Sequence, residues 1–197
     1  MLLNILKNYK IILGSRSPRR KYLLEELGIE FEVTPAKSFD ETYPKDLDRD
    51  EISSHLAKLK SLVFKDYLKN DTILITADTI VWLKNKVIGK PETFNDAVNI
   101  LKKLSGNCHQ VITGVCITDL NKQVTFSSKT DVFFKELSLE EIQYYIKKYK
   151  PFDKAGAYGI QEWIGYIGIK KIIGSFYNVM GLPIQKLYCE LERFCEK

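Results

Sequence analysis

Arginine is scarce in this chain of 197 residues: of 30 basic residues only Arg16, Arg19, Arg20, Arg49 and Arg193 are arginine. Histidine is rarer still, with His55 and His109 alone. The four cysteines, Cys108, Cys116, Cys189 and Cys195, form no C-x-x-C pair, so a zinc cluster at ligand spacing is not supported. A chain of this length buries roughly 70% of its unfolded surface and needs no disulfide staples, so reduced thiols in a cytoplasmic protein are expected. No apolar run approaches the ~20 residues of a membrane span. The opening stretch, Met1 to Lys10, is short and broken by Asn4 and Lys7, unlike a signal peptide. Neither secretion nor membrane insertion is expected. Repeats, low-complexity tracts and clean linkers are also missing, so residues 1–197 are read as one domain.

What is present is a globular composition: 45% hydrophobic, 28% charged and 12% aromatic residues. The net charge of +5 is a weak push toward anionic partners. Its distribution matters more, because three of the five arginines fall between Arg16 and Arg20. The rigid fork of arginine grips phosphate or carboxylate oxygens in pairs, so this window is a candidate anion site.

The pattern predicts an α/β fold with a mixed sheet. Lys10 to Gly14 reads as a buried strand feeding a turn. A helix follows, capped by Ser17, opened by Pro18, carrying an apolar stripe of Tyr22, Leu23, Leu24 and Leu27, and closed by Gly28. Residues 29–34 alternate as a half-buried strand does, and 35–50 form a polar loop with Asp40 and Glu41. A helix is predicted over 51–68, a long central strand over 71–83, a turn at Lys84 to Lys86, and a return strand over 87–89. A helix from Asn95 to Leu104 precedes two β-rich runs, 108–118 and 123–134, joined by a hairpin connection at 119–122. Ser138 and Glu141 form a capping box for a helix to about Lys148. Residues 151–182 hold six of the eleven glycines and read as turns and short strands. A last helix starts at Pro183.

Four constellations carry chemistry. In Gly14-Ser15-Arg16-Ser17-Pro18-Arg19-Arg20, two arginines occupy the first turn of a helix, against a dipole that disfavours cations by about 0.3–1 kcal/mol each. The placement fits a polyanion held by Arg19 and Arg20, the hydroxyls of Ser15 and Ser17 and the backbone N-H groups; solvated or locally paired arginines are the alternative. Asp78, in Thr76-Ala77-Asp78-Thr79, puts a carboxylate inside an apolar strand, where a charge is costly unless it is paired, metal-bound or at a cleft. It is a candidate proton acceptor or metal ligand, or a structural aspartate bonded to backbone amides. Lys58, Lys60 and Lys90 stand in structured positions, and Pro91 fixes the turn of Lys90. Finally, Asp153 to Gln161 is a glycine-rich segment whose Gln161 side chain suits a base edge. His55 and His109 are read as structural.

Together, Leu13-Gly-Ser-Arg-Ser-Pro-Arg-Arg20, Leu56-Ala-Lys-Leu-Lys60, Ala77-Asp-Thr79, Gly89-Lys-Pro91, Leu104-Ser-Gly106 with His109, Asp153-Lys-Ala-Gly-Ala-Tyr-Gly-Ile-Gln161 and Asn178-Val-Met-Gly-Leu-Pro183 resemble the Maf family of nucleoside triphosphate pyrophosphatases over almost the whole chain. The resemblance implies a mixed sheet flanked by helices, in two lobes with a cleft between them, related to inosine triphosphate pyrophosphatases. It also implies a cytoplasmic enzyme, often a homodimer, that converts a nucleoside triphosphate and water to the monophosphate and pyrophosphate. Asp78 matches the family's proton acceptor, while Ser15, Arg19, Arg20, Lys60 and Lys90 match residues around the triphosphate. Glu41 matches an acidic position that, with Asp78, helps hold a divalent cation, Mg²⁺ or Mn²⁺. Arg19, Thr79 and Gln161 fill three specificity positions as in the branch acting on dTTP and UTP. Arg16 and the pair Glu162-Trp163 depart from the commoner pattern.

Two competing readings give other expectations. One is a pyrophosphatase for modified nucleotides. The other is a nucleotide- or nucleic-acid-binding regulator of cell division without turnover; the lack of a continuous basic stripe speaks against a stable nucleic-acid partner.

Overall fold

A computed structural model of the chain describes residues 1–34, 42–44 and 46–196. The helices are α1 (Leu2–Leu6), α2 (Pro18–Glu26), α3 (Arg49–Leu62), α4 (Phe94–Leu104), α5 (Leu139–Tyr149), α6 (Trp163–Gly168), α7 (Phe176–Met180) and α8 (Ile184–Cys195). The strands are β1 (Lys10–Leu13), β2 (Glu32–Val33), β3 (Thr72–Leu83), β4 (Lys86–Ile88), β5 (Cys108–Thr118), β6 (Gln123–Phe134) and β7 (Ile169–Ile173). They form a sheet in the order β2-β1-β3-β5-β6-β7, with β4 pairing β3. β1 runs parallel to both β2 and β3, whereas β4 lies antiparallel to β3 and β7 antiparallel to β6. The sheet is therefore mixed.

The helix starts follow from side chains that satisfy the otherwise unpaired N-H groups of a first turn. Ser17 accepts from Arg20 N with Pro18 at the first position, and Asp48 with Glu51, Thr93 with Asp96 and Ser138 with Glu141 form capping boxes. Lys135 and the Ser138 backbone both bond Glu141 and hold its carboxyl below the usual range. At the β3–β4 turn, Lys84 and Asn85 both take positive φ, the backbone a two-residue hairpin needs to follow the strand twist.

Four expectations are corrected. Residues 29–34 give only the two-residue β2, with both side chains exposed; it lies at the sheet edge, where Glu32 pairs with Lys10 at 2.8 Å. The second helix begins at Arg49 and ends at Leu62, because Phe64 turns into a cluster with Ile12 and Leu74 and leaves a separate 3-10 turn at Lys65–Tyr67. Residues 151–182 hold α6 and α7 as well as β7. Tyr22 is 52% exposed and does not belong to the buried stripe of α2. The short helix α1 is absent from the sequence pattern and packs on α8.

The chain divides into two compact units. Unit 1 comprises Met1–Asp78, Thr113–Ser128 and Gly181–Lys197; unit 2 comprises Thr79–Ile112 and Lys129–Met180. In unit 1 the cluster of Ile12, Phe64 and Leu74 is closed by Val63 and Leu68. In unit 2 the rings of His109, Phe134 and Tyr158 pack at centroid distances of 5.1 to 5.5 Å. No helix of the described residues is long and apolar enough to cross a membrane.

Candidate active site

In unit 1, β1 delivers the chain to the arginine-rich turn. Leu13 pairs with Ile75 and Gly14 N donates to Ile75 O, so the turn leaves the carboxyl end of β1 beside the parallel strand β3. Ligands of α/β sheets gather at such strand ends. Gly14 is required by close approach: a Cβ there would lie 2.8 Å from the Phe64 ring and from Thr76 Cγ2. Ser15 is buried, and its hydroxyl accepts from Ser17 N at 3.1 Å. Ser17 in turn caps α2. Arg19 and Arg20 lie half-buried in the first turn of α2, and Arg20 Nε donates to Gly181 O at 2.8 Å, which fixes the direction of that guanidinium.

Asp78 is the last residue of the first stretch of unit 1 and is 9% exposed on β3. Its carboxylate accepts a hydrogen bond from Lys60 Nζ on α3. The two elements are locked to one another, since Thr76 Oγ1 donates to Ala57 O at 2.7 Å. α3 is also pressed on β5: a Cβ at Gly114 would lie 2.2 Å from the Ser53 carbonyl. The structure thus brings together Lys60 and Asp78, two residues that sequence assigned separately, and gives the buried carboxylate the partner it needs. Among the described residues no three His, Cys, Asp or Glu side chains are grouped to hold a metal ion. Glu41, the second acidic candidate, lies outside the described residues.

Unit 2 carries Thr79, half-buried on β3, Lys90, exposed on the turn after β4, and Gln161, half-buried ahead of α6. Gly156 N donates to Gly89 O at 3.1 Å, which ties the Lys90 turn to the glycine-rich segment. Gly156 needs its lack of a side chain, with φ +73° and Val81 within 3.0 Å of a Cβ position. Gln161 Oε1 is buried and has no hydrogen-bond partner among the described residues. An unmatched buried acceptor costs about 1–3 kcal/mol and marks a place where a donor is wanted.

Behind Gln161 lies a cluster that sequence reasoning missed. Lys154 is 8% exposed and reaches Asp153 at 2.8 Å and Glu162 at 3.1 Å. Tyr145, fully buried, donates its hydroxyl hydrogen to Glu162 Oε2 and accepts from Gly159 N at 3.0 Å. Burial and the adjacent Glu162 push the Tyr145 phenol well above its ordinary pKa. The lysine sits among glycines in the sequence, where nothing separates a buried lysine from a solvated one. His109 is structural, as expected: it is 1% exposed, shares a 2.7 Å hydrogen bond with Tyr158 OH, and burial pushes its pKa down to about 3.

Known proteins resemble the chain closely. The profile of the family described as Maf-like protein matches residues 10–194. A protein of Phocaeicola vulgatus named dTTP/UTP pyrophosphatase is 55% identical over 192 residues, 98% of this chain and all of that one. Relatives of the same name from Bacteroides thetaiotaomicron and Porphyromonas gingivalis are 54% and 50% identical, covering 98% and 99% of this chain and 100% and 99% of their own. Among solved structures, a HAM1 protein from Coxiella burnetii covers 94% of this chain and 99% of its own with a TM-score of 0.53; at 11% identity that likeness speaks to the fold alone. A near-complete profile match and relatives identical at half their positions lead to one conclusion: the chain belongs to the Maf-like protein family.

Proposed function

We propose that the protein is a nucleoside triphosphate pyrophosphatase that hydrolyses dTTP and UTP to the nucleoside monophosphate and pyrophosphate. The observation that carries the reading is Asp78, a buried carboxylate paired with Lys60, in the same unit as the Ser15 to Arg20 turn at the end of the neighbouring parallel strand. The relatives named dTTP/UTP pyrophosphatase support the choice of substrate.

In this mechanism the triphosphate lies at the N-terminus of α2, where backbone N-H groups and the hydroxyls of Ser15 and Ser17 donate to phosphate oxygens. Arg19, Arg20 and Lys90 offset its charge. Asp78 takes the proton of the water that attacks the α-phosphorus, while Lys60 holds the carboxylate in place, and pyrophosphate departs with its charge stabilised by the same cations. The buried Gln161 Oε1 suits the N3-H of uracil or thymine; cytosine presents an acceptor there, so CTP leaves both groups unmatched. Arg19 and Thr79 complete the specificity set.

A divalent cation, Mg²⁺ or Mn²⁺, fits this donor chemistry as a companion of the substrate. Asp78 offers one hard oxygen and the phosphates supply others, the mode common for Mg²⁺. Glu41 is the second protein ligand in this reading. When bound, the cation neutralises phosphate charge. The same proposal has the chain working as one domain, as a homodimer in the cytoplasm, without a nucleic-acid or membrane partner.

The test is pyrophosphate release from dTTP, UTP, CTP, GTP, ATP, 5-methyl-UTP and 7-methyl-GTP, with Mg²⁺, Mn²⁺ or chelator. Metal-dependent release from dTTP and UTP is expected. Preference for a methylated nucleotide would redirect the reading to modified substrates, and silence across the panel would remove the enzyme assignment.

A further inference from the structure

The cluster behind Gln161 has no role in the chemistry above, yet it is built at a cost. Lys154 is nearly out of solvent and Glu162 largely so, and taking such an ion pair out of water gains little stability over apolar packing. What such a cluster does well is fix geometry. The turn carrying Gln161 is gripped at both ends by one phenol, since Tyr145 OH accepts from Gly159 N and donates to Glu162 Oε2. Between these ends, Glu162 N donates to Gly159 O at 3.0 Å and closes the turn. Lys154 Nζ holds the other carboxylate oxygen, and Lys154 O accepts from Ala157 N at 3.1 Å.

Gly159 shows how closely the two side chains are associated. The position its Cβ would occupy lies 3.0 Å from Glu162 Oε2 and 3.1 Å from Gln161 Nε2. The glutamate and the glutamine amide therefore fold over the same backbone atom, and displacing one frees the space that confines the other. The Gln161 acceptor left without a partner is buried in this arrangement.

We propose that Glu162, clamped by Tyr145 and Lys154, is the positioning residue that orients the Gln161 amide toward the pyrimidine edge, so that selectivity for uracil and thymine is set one layer behind the reader. The proposal rests on the pyrophosphatase reading. Glu162 touches neither base nor phosphate in it; it acts through Gln161. A looser clamp lets the amide turn over, presenting N-H where oxygen is needed and admitting cytosine.

The experiment measures kcat and KM for UTP and CTP, with thermal melting, in wild type, Glu162→Ala, Glu162→Gln, Tyr145→Phe and Gln161→Ala. Glu162→Ala and Tyr145→Phe should lower the UTP-to-CTP ratio of kcat/KM by about fivefold or more, mainly by raising KM for UTP. Glu162→Gln keeps an acceptor for the phenol and should recover most of the ratio. A merely structural cluster would lower the melting temperature and the active fraction equally for both nucleotides, leaving the ratio and KM unchanged. An unchanged ratio in both clamp variants, alongside an altered one in Gln161→Ala, overturns the proposal and leaves the enzyme reading intact. If Glu162→Ala fails to fold, Tyr145→Phe decides alone, since it deletes a single oxygen from a ring that stays packed. A wild type that does not release pyrophosphate from UTP overturns the function itself, and one that turns over UTP and CTP equally overturns base reading by Gln161 and this proposal with it.

Discussion

Lys60 on α3 donates to the carboxylate of Asp78 on β3, and each side chain keeps only 13% of its surface in solvent. Removing one partner of such a pair strands the other, at a cost of about 3 kcal/mol. Lys60→Met should therefore be more destabilised than the Lys60→Met/Asp78→Asn double variant is relative to Asp78→Asn. Urea unfolding of the four proteins gives the coupling, expected at about 1 kcal/mol or more. Additive losses would mean that the pair is not energetically joined.

Asp78→Asn keeps the shape of the side chain and removes its basicity. Pyrophosphate release should fall by about 10²-fold or more, the range of a lost general base. Nucleotide binding, followed by calorimetry, should persist. Near-normal turnover would take the proton-accepting role away from Asp78.

Lys90 sits on an exposed turn anchored by the bond from Gly156 to Gly89. Lys90→Ala should raise KM for UTP, lower kcat, or both, without lowering the melting temperature. Unchanged kinetics would return Lys90 to the status of an ordinary surface lysine.

His109 supplies a pH-dependent term. Burial holds it neutral in the folded protein, with a pKa of about 3, while the unfolded chain takes up a proton near the ordinary value of 6.5. The unfolded state then binds more protons as pH falls below that value. The His109 contribution to stability is present above pH 6.5 and lost downward toward pH 3, at roughly 1.4 kcal/mol per pH unit. His109→Gln should remove this share of the slope between pH 6.5 and 4, read as the difference between two urea-unfolding series. Parallel series would place the proton elsewhere.

Two glycines should respond in opposite ways to the same methyl group. Gly114→Ala drives a Cβ to 2.2 Å from the Ser53 backbone, whereas at Gly89 a Cβ meets nothing within 4 Å. Gly114→Ala should cost about 3 kcal/mol or more, and Gly89→Ala should stay within about 0.5 kcal/mol of wild type. Thermal melting of both separates them.

Much of this architecture was legible where a local rule operates. Ser17 and Pro18, and Ser138 and Glu141, mark helix starts because capping is a contact among neighbours in sequence. The unusual aspartate at 78 announced itself by its apolar surroundings. Its bond to Lys60 did not, since that contact depends on how α3 lies on β3. Residues 29–34 misled because alternation reports the preference of a segment and not whether a partner strand or a core awaits it. In 151–182, frequent glycines concealed α6 and α7, whose formation is imposed by tertiary packing. Tyr145 on α5 meets Lys154 and Glu162 from the turns ahead of α6, and the three leave no common mark in the sequence.

Unit 1 is assembled from three stretches, the last of them starting at Gly181. During synthesis at ~5–20 residues per second, the first stretch is finished roughly 5–20 s before that last one begins to emerge. Until then α1 lacks α8, its packing partner, and Arg20 lacks the Gly181 carbonyl that orients it. The nascent chain thus carries its arginine-rich turn for several seconds in an unfinished setting. Completion of the unit is coupled to the arrival of Gly181, so a ribosome stalled between Asp78 and Gly181 holds a chain in which Asp78 has been made but the Arg20 guanidinium has not been set.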